Sequence, residues 1–267
     1  MSFVKRHPLP LFFVLAYALS WWALPFGVFL PFGPLLASLI VTALVDGRKG
    51  LRALGKRLIM WRIGWRWYPI AVGLPLVVIF TAVGLNIAAG APASAFHKLD
   101  AWYILVLLFA IRLINPLDGP GGEELGWRGF ALTRLQTSRS PLRATLILGV
   151  LVTGWHVPLV FLASEKLAPI LLLATFAVTF VYTWIYNRTG GSVLATLIAH
   201  AAEGAIRLGA LGYIAIDSTR LNALYTAGWC ILAVGLVALD RRHWLLRTSH
   251  TIRRRSPLTN QASVPTH

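Results

Sequence analysis

The chain has little charge and very few acidic residues. Only 13% of its 267 residues are charged, and nine of them are Asp or Glu. An ordinary soluble domain has about 25% charged residues, so this composition cannot cover a water-soluble surface. With 57% hydrophobic residues and a mean hydropathy of +0.69, the sequence predicts an all-α, polytopic transmembrane helix bundle.

Cysteine is almost absent. The single cysteine, Cys230, lies in an apolar stretch and has no partner within the chain. A disulfide framework and a cysteine metal site are therefore excluded. The GxSxG motif of serine hydrolases is also absent, so neither a cysteine nor a serine nucleophile has support.

Long apolar runs are abundant. The first run, 8–30, is longer than the about 7–15 residues of a signal-peptide core, and we interpret it as a retained span. About eight spans are predicted from runs near the ~20 residues that cross a bilayer. One membrane-embedded domain, 1–247, is expected, followed by a disordered basic tail, 248–267. The candidate spans are 8–30, 31–46, 67–90, 101–117, 143–163, 168–187, 191–213 and 222–239.

The net charge of +16 comes from residues between the apolar runs. With a cytoplasmic N-terminus and eight spans, the cytoplasmic segments hold 20 of the 25 Lys and Arg residues. This positive-inside pattern predicts that both termini are cytoplasmic and argues against nucleic acid as a partner. Leu and Trp residues interrupt the basic segment 47–67, which is typical of a helix on anionic lipid at the cytoplasmic face. A solvated loop fits the same segment.

Two of the nine acidic residues stand side by side in GPGGEELGWRGF, residues 119–130. The glycines and the proline end one helix, and a new helix is predicted to begin there. Glu124 and Arg128 are then i,i+4 neighbours, which favours an ion pair. Glu123 points about 100° away by helical geometry. One interpretation makes Glu124 structural and Glu123 a general base; the alternative is a helix-start salt bridge that involves all three residues.

Two histidines lie inside apolar runs. His156 occurs in LVTGWHVPLVF, and His200 occurs in SVLATLIAHAAEGAI. Each alone fits a hydrogen-bonded packing residue. Because ionisable residues at membrane depth are costly, two histidines together with a nearby acid pair favour a catalytic site.

The other ionisable residues within the runs have simpler interpretations. Glu203 and Arg207 are a second i,i+4 pair and are expected to neutralise each other. Arg112 is expected either to reach the membrane interface or to pair with Asp118, and no role is assigned to it.

No cofactor is predicted, with zinc as the alternative. His156, His200 and Glu123 form a ligand set of the kind that metallopeptidases use. However, the HExxH motif is absent, and the three donors lie on separate predicted helices. A small-solute transporter would use the same residues as a relay, but internal repeats and paired broken helices are absent.

The sequence resembles the CAAX protease and bacteriocin-processing (CPBP) family of intramembrane proteases. EELGWR at 123–128 matches the EExxxR motif of that family, and GGEELGWRGFALTRLQ is similar to bacterial members. His156 and His200 fall where the family has the histidines of its second and third motifs. Order and spacing agree over about residues 100–205.

The resemblance implies a glutamic-type intramembrane endopeptidase in a multi-pass cell membrane protein, with the bacterial inner membrane as its location. Glu123 would activate a water, His156 would orient it, and His200 would stabilise the oxyanion. Glu124 and Arg128 would support this site. The implied substrate is a membrane-anchored peptide or protein, as for CAAX prenyl proteases. Older descriptions of the family call its members metalloproteases.

Two positions depart from the family pattern. The second motif is usually FxxxH, and the chain has Val152 in place of the phenylalanine. The third motif is usually HxxxN or HxxxD, and the chain has Gly204 at its last position. The asparagine is associated with oxyanion stabilisation. Its absence motivates an alternative function, a catalytically impaired membrane scaffold or bacteriocin self-immunity protein of the same fold.

Overall fold

Helices form the regular structure of the chain. A computed structural model describes residues 3–92, 102–162, 167–205 and 218–246. No strand occurs within these ranges, which confirms the predicted all-α class. The predicted tail, 248–267, lies outside them. The main helices are α1 (Pro8–Trp21), α2 (Gly33–Leu58), α3 (Trp67–Ala88), α4 (Trp102–Ile114), α5 (Gly119–Glu124), α6 (Pro141–His156), α7 (Leu171–Arg188), α8 (Val193–Ala205), α9 (Ser218–Leu239) and α10 (Arg241–Leu245).

The chain continues beyond α5 as a wider π-helical segment. This segment, Leu125–Leu132, is followed by a short helical turn, Thr133–Leu135. All residues of the π-helical segment are buried. π-Helical turns are rare and are frequently found at functional sites. The EELGWR motif therefore lies inside the protein and not on its lipid-facing surface.

Several helices are long and apolar enough to cross a membrane, and the chain is a multi-pass membrane protein. The shorter α8 is also apolar. Two further predicted spans coincide with the apolar part of α2 and with α7. The count of eight spans and the cytoplasmic position of both termini remain predictions. Among the described residues, five segments meet the length and hydropathy of a span: Pro8–Phe26, Trp67–Ala88, Trp102–Leu135, Pro141–Val160 and Thr219–Leu239.

Large apolar side chains on the outside of the bundle fit a lipid environment. Leu239 is 90% exposed, and Phe161 is 81% exposed. Phe26 and Ile114 are almost as exposed. Soluble monomers rarely expose large contiguous apolar patches, so these side chains are suited to contact with acyl chains.

α2 consists of two parts that meet at Gly47. The backbone φ at Gly47 is +62°, a left-handed conformation that glycine adopts without a steric penalty. The break separates an apolar first part from a basic second part, and it coincides with the predicted end of the second span. The predicted interfacial helix over 47–67 is helical as far as Leu58. The exposed side chains of Trp61 and Trp65 follow it.

Two glycines allow α5 and the π-helical segment to lie directly against the start of α2. A Cβ at Gly122 would be 2.6 Å from the carbonyl oxygen of Pro31, and a Cβ at Gly126 would be 2.5 Å from that of Pro34. Only glycine permits the backbones to approach so closely. The two glutamates lie between these glycines in sequence, so this contact fixes their position relative to α2.

The buried apolar residues form two clusters. One cluster involves mainly α1, α2, the π-helical segment and α6, and includes Trp127 and Trp155. The other involves mainly α3, α7, α8 and α9, and includes Tyr182 and Trp229. Ionisable side chains from both groups of helices line one cavity, among them His156 of α6 and His200 of α8.

Candidate active site

The two adjacent glutamates are held in a short, capped helix. Asp118 caps α5, because its Oδ1 accepts a hydrogen bond from the backbone N–H of Gly119 at 2.7 Å. Glu123 is 5% exposed and Glu124 is 1% exposed. Buried carboxylates need hydrogen-bonding or charged partners, and the two side chains have different ones.

Glu124 is engaged by two cationic or potentially cationic groups. Its Oε1 accepts a hydrogen bond from Arg128 Nη1 at 2.8 Å and another from His200 Nδ1 at 2.9 Å. The predicted i,i+4 pair with Arg128 is therefore present. The Arg128 guanidinium also lies 5.0 Å from the ring centroid of Tyr182, within the range of a cation–π interaction. These contacts stabilise the buried ion pair of Glu124 and Arg128.

Glu123 has a neutral hydrogen-bond donor and no arginine or lysine partner within the described residues. Its Oε2 accepts a hydrogen bond from Trp127 Nε1 at 3.1 Å. Trp127 stands four residues after Glu123, just as Arg128 stands four residues after Glu124. The motif thus gives one carboxylate a neutral partner and the other a cation, as the spacing predicted for Glu124.

His156 lies at the C-terminal end of α6 and faces Glu123. Its Nδ1 is 2.9 Å from the carbonyl oxygen of Val152. Because a carbonyl oxygen can only accept, Nδ1 carries the proton of this bond. Nε2 then faces Glu123 Oε2 at a distance of 4.0 Å. This distance is too long for a direct hydrogen bond, but one water can bridge it.

His200 on α8 is hydrogen-bonded to Glu124 and lies close to Glu123. Its Nδ1 contacts Glu124, and its Nε2 lies on the other side of the ring. A Cβ built on Gly119 would be 3.7 Å from this Nε2 and 3.1 Å from Glu123 Oε1. The space beside Gly119 is therefore lined by His200 Nε2 and by the second oxygen of Glu123.

One cavity contains all three residues to which the sequence assigned a catalytic role. It has a volume of about 180 Å³ and is lined by Glu123, His156 and His200. Arg128 also lines it, whereas Glu124 lies behind the wall. The three side chains come from α5, α6 and α8, and they converge as predicted. Their roles in a reaction are a separate question.

Comparisons with known proteins bear directly on this cavity. Residues 101–206 match the family model described as type II CAAX prenyl endopeptidase Rce1-like. The chain is also similar to CAAX prenyl protease 2 of Methanococcus maripaludis, with 26% identity over 148 residues. Both comparisons support the resemblance of the chain to the CAAX protease family. This match covers 52% of the present chain and 54% of the archaeal protein, so it spans about half the length of that relative.

Val152, which stands in place of the phenylalanine of the FxxxH pattern, has little effect on the orientation of His156. Val152 is 3% exposed and lines the cavity. The contact with His156 is made by its backbone carbonyl. Any residue at position 152 can supply that carbonyl, so the loss of the family's phenylalanine leaves the orientation of His156 intact.

Glu203 has two hydrogen-bond partners that could not be found from the sequence. The hydroxyls of Tyr182 on α7 and Tyr225 on α9 both donate to its carboxylate, the second at 2.5 Å. Both tyrosines line the cavity. Arg207, the predicted partner, lies outside the described residues, so that pairing stays a prediction. The sequence held one indication of these contacts, because both tyrosines occur in apolar helices, where a hydroxyl needs a hydrogen-bond partner.

Arg112 pairs with Asp118, one of the two arrangements that the sequence allowed. Its Nη1 is 3.1 Å from Asp118 Oδ2. The side chain is 15% exposed. The remaining guanidinium atoms lie against α8.

The predicted alternative of a zinc site finds no ligand cluster in the described part of the chain. No group of three or more His, Cys, Asp or Glu side chains there has the arrangement of a metal site. Nδ1 of His200 is bound to Glu124, and Nδ1 of His156 is bound to a backbone carbonyl. These contacts engage Nδ1 only, and a metal-bound histidine usually donates its other ring N–H to a carboxylate or a carbonyl. The expected absence of a metal therefore stays a prediction.

Proposed function

We propose that the chain is a glutamic-type intramembrane endopeptidase that hydrolyses a peptide bond of a membrane-anchored peptide or protein. One observation carries this function: Glu123, which has no Arg or Lys partner among the described residues, shares a cavity with two histidines from different helices. Glu124 takes the arginine instead.

The attacking water lies between Glu123 Oε2 and His156 Nε2. Two hydrogen bonds of about 2.8 Å can meet at one oxygen across the 4.0 Å that separates these atoms. The Trp127 indole orients Oε2, and the Val152 carbonyl orients the imidazole. Glu123 accepts a proton from the water as its oxygen attacks the peptide carbonyl carbon.

The proton on Glu123 then passes to the leaving amine. The tetrahedral intermediate collapses, the C–N bond breaks, and the products are a carboxylic acid and an amine. The carbonyl oxygen, negatively charged in the intermediate, lies near His200 Nε2. Because Nδ1 donates to Glu124, Nε2 donates to this oxygen when the ring carries both protons, as an imidazolium. The bond from Nδ1 to Glu124 fixes the direction in which Nε2 points, which is the pre-organisation that an oxyanion needs.

The proposed substrate class is supported by the apolar helices around the cavity and by the name of the similar protein, CAAX prenyl protease 2. We take a C-terminal peptide with a lipid anchor as the first substrate to test. We expect the protein to contact anionic lipid at the cytoplasmic face of the cell membrane. Nucleic acid is not an expected partner. No metal cofactor is required for this mechanism.

The test is cleavage of a membrane-anchored peptide library by purified protein in lipid nanodiscs. Glu123→Gln is expected to abolish cleavage. Asp46→Asn is the matched control, because Asp46 pairs with Arg134 in a partly exposed ion pair outside the cavity. Full activity of Glu123→Gln would reject the assigned base.

The alternative of an impaired scaffold or immunity protein has one observation in its favour, the missing side chain at Gly204. It predicts that Glu123→Gln and His200→Ala leave the cellular phenotype unchanged. Loss of the phenotype in both variants, with normal amounts of folded protein in the membrane, would exclude it.

A further inference from the structure

Gly204 faces an arginine and not open space. A Cβ built on Gly204 would overlap three atoms of the Arg112 guanidinium group, Nη2, Cζ and Nε. The guanidinium of Arg112, on α4, therefore occupies the space that the Cβ of any other residue at position 204, on α8, would need. Gly204 is one turn beyond His200, so the arginine lies next to the candidate site.

The same guanidinium reaches the space beside Gly119. A Cβ on Gly119 would be 3.9 Å from Arg112 Nη2, 3.7 Å from His200 Nε2 and 3.1 Å from Glu123 Oε1. Three polar atoms from three different helices thus surround one point. Two of them belong to residues of the proposed peptidase site, and the third belongs to a residue with no assigned role.

Asp118 fixes Arg112 in this orientation. It accepts from Arg112 Nη1 at 3.1 Å, and its other oxygen is held by the backbone N–H of Gly119. Because the guanidinium is a rigid planar fork, a bond at Nη1 determines where Nη2 and Nε point. Arg112 Nε is buried and has no hydrogen-bond partner among the described residues.

We propose that Arg112 donates from Nη2 to the oxyanion of the tetrahedral intermediate, and that Gly204 is the residue that makes room for it. This role rests on the proposed peptidase function. The peptide carbonyl oxygen gains negative charge as water attacks, and the fixed cation stabilises that charge without transferring a proton. Removal of one oxyanion donor typically lowers kcat by about 10²–10³-fold.

A double-substitution experiment tests the proposal. Arg112→Ala is expected to lower kcat about 10²-fold with little change in KM. Gly204→Asn alone is also expected to be impaired, because its Cβ would overlap the guanidinium. Arg112→Ala combined with Gly204→Asn is expected to recover at least about tenfold of the lost activity, because an amide donor then occupies the vacated space.

Rescue distinguishes this role from a purely structural one. If Arg112 only neutralised Asp118, an uncharged asparagine at 204 would restore nothing. Arg112→Lys keeps a charge for Asp118 but loses the fork, so it is expected to retain the melting temperature of the wild type and still lose kcat. The proposal would be overturned if Arg112→Lys and Arg112→Ala were both folded and both had the kcat of the wild type. It would also be overturned if the double variant, Arg112→Ala with Gly204→Asn, recovered no activity.

A binding measurement keeps the proposal testable where a variant has too little activity. A peptide phosphonate is tetrahedral and anionic, and it is expected to bind Arg112→Lys at least about tenfold more weakly than wild type. The control is the uncleaved peptide, measured in the Glu123→Gln background. It is expected to bind with the same affinity whether or not Arg112→Lys is also present. Equal phosphonate affinity in both proteins would overturn the role of Arg112. If wild type cleaves and Glu123→Gln does not, such a result leaves the peptidase function intact. If wild type does not cleave, both fail together.

Discussion

Replacement of each glutamate by glutamine is expected to separate stability from chemistry. Glu124 accepts hydrogen bonds from Arg128 and His200, and the side chains of Glu124 and Arg128 are only 1% and 2% exposed. Glutamine at position 124 keeps the shape but leaves a buried guanidinium without its counter-charge. Removal of one partner of a buried ion pair costs about 3–5 kcal/mol. Glu124→Gln is therefore expected to lose stability of this order.

Glu123→Gln is expected to behave in the opposite way. Glu123 accepts its hydrogen bond from the neutral indole of Trp127, and the amide oxygen of glutamine can accept the same bond. Neutral hydrogen bonds contribute only about 0.5–1.5 kcal/mol to stability, and the variant keeps this one. The stability is expected to change by less than about 1 kcal/mol. Peptidase activity is expected to disappear, because an amide cannot act as the base.

Thermal unfolding of the purified variants in one detergent measures the difference. At about 2–4 °C for each kcal/mol in a chain of this size, Glu124→Gln is expected to melt about 6–20 °C below wild type. Addition of Arg128→Met to Glu124→Gln is expected to recover much of this loss, since it removes the unpaired charge. Equal melting temperatures for the two glutamine variants would refute the unequal roles of the carboxylates.

Three other contacts give measurable outcomes. Gly126→Ala is expected to lower the melting temperature, because its Cβ would be 2.5 Å from Pro34 O and overpacking costs about 1–3 kcal/mol; Gly55→Ala, with nothing within 4 Å, is the control and should not. Cleavage by protein dialysed against a zinc chelator is expected to equal that of untreated protein; a loss that Zn²⁺ restores would contradict the metal-free mechanism. Burial, with the Arg188 charge adding and Asp240 opposing, lowers the pKa of His243 outside the spans. The unfolded chain then binds this proton first on acidification, so stability is expected to fall below about pH 6.5. A pH series of melting temperatures that is equally steep in His243→Gln would exclude this origin.

Contacts set by short sequence spacing could be predicted, and contacts between helices could not. The i,i+4 spacing of Glu124 and Arg128 identified their ion pair without any structure. The same rule applies to Glu123 and Trp127, but an indole N–H is rarely considered as a carboxylate partner. Both pairs extend from α5 into the π-helical segment, whose i→i+5 hydrogen bonds differ from those of an α-helix, and the i,i+4 contacts are nevertheless present.

The partners of Glu203 illustrate what the sequence could not supply. Spacing predicts Arg207, which lies outside the described residues, and the structure adds two tyrosine hydroxyls, one on α7 and one on α9. Both contacts depend on how three helices pack, which no local pattern contains. The number of spans also depends on more than local patterns: α2 has an apolar part and a basic part that meet at a break at Gly47, and its composition as a whole is not that of a span.

His200 shows that Glu124, besides stabilising the fold, also has a part in the proposed chemistry. Its Nδ1 is bound to Glu124, and its Nε2 lines the space shared with Glu123 Oε1 and Arg112 Nη2. Loss of the Glu124 carboxylate therefore removes a stabilising partner of Arg128 and also the group that aims His200. Because pre-organised donors act only when their direction is fixed, the buried ion pair and the proposed oxyanion site are two parts of one hydrogen-bonded network.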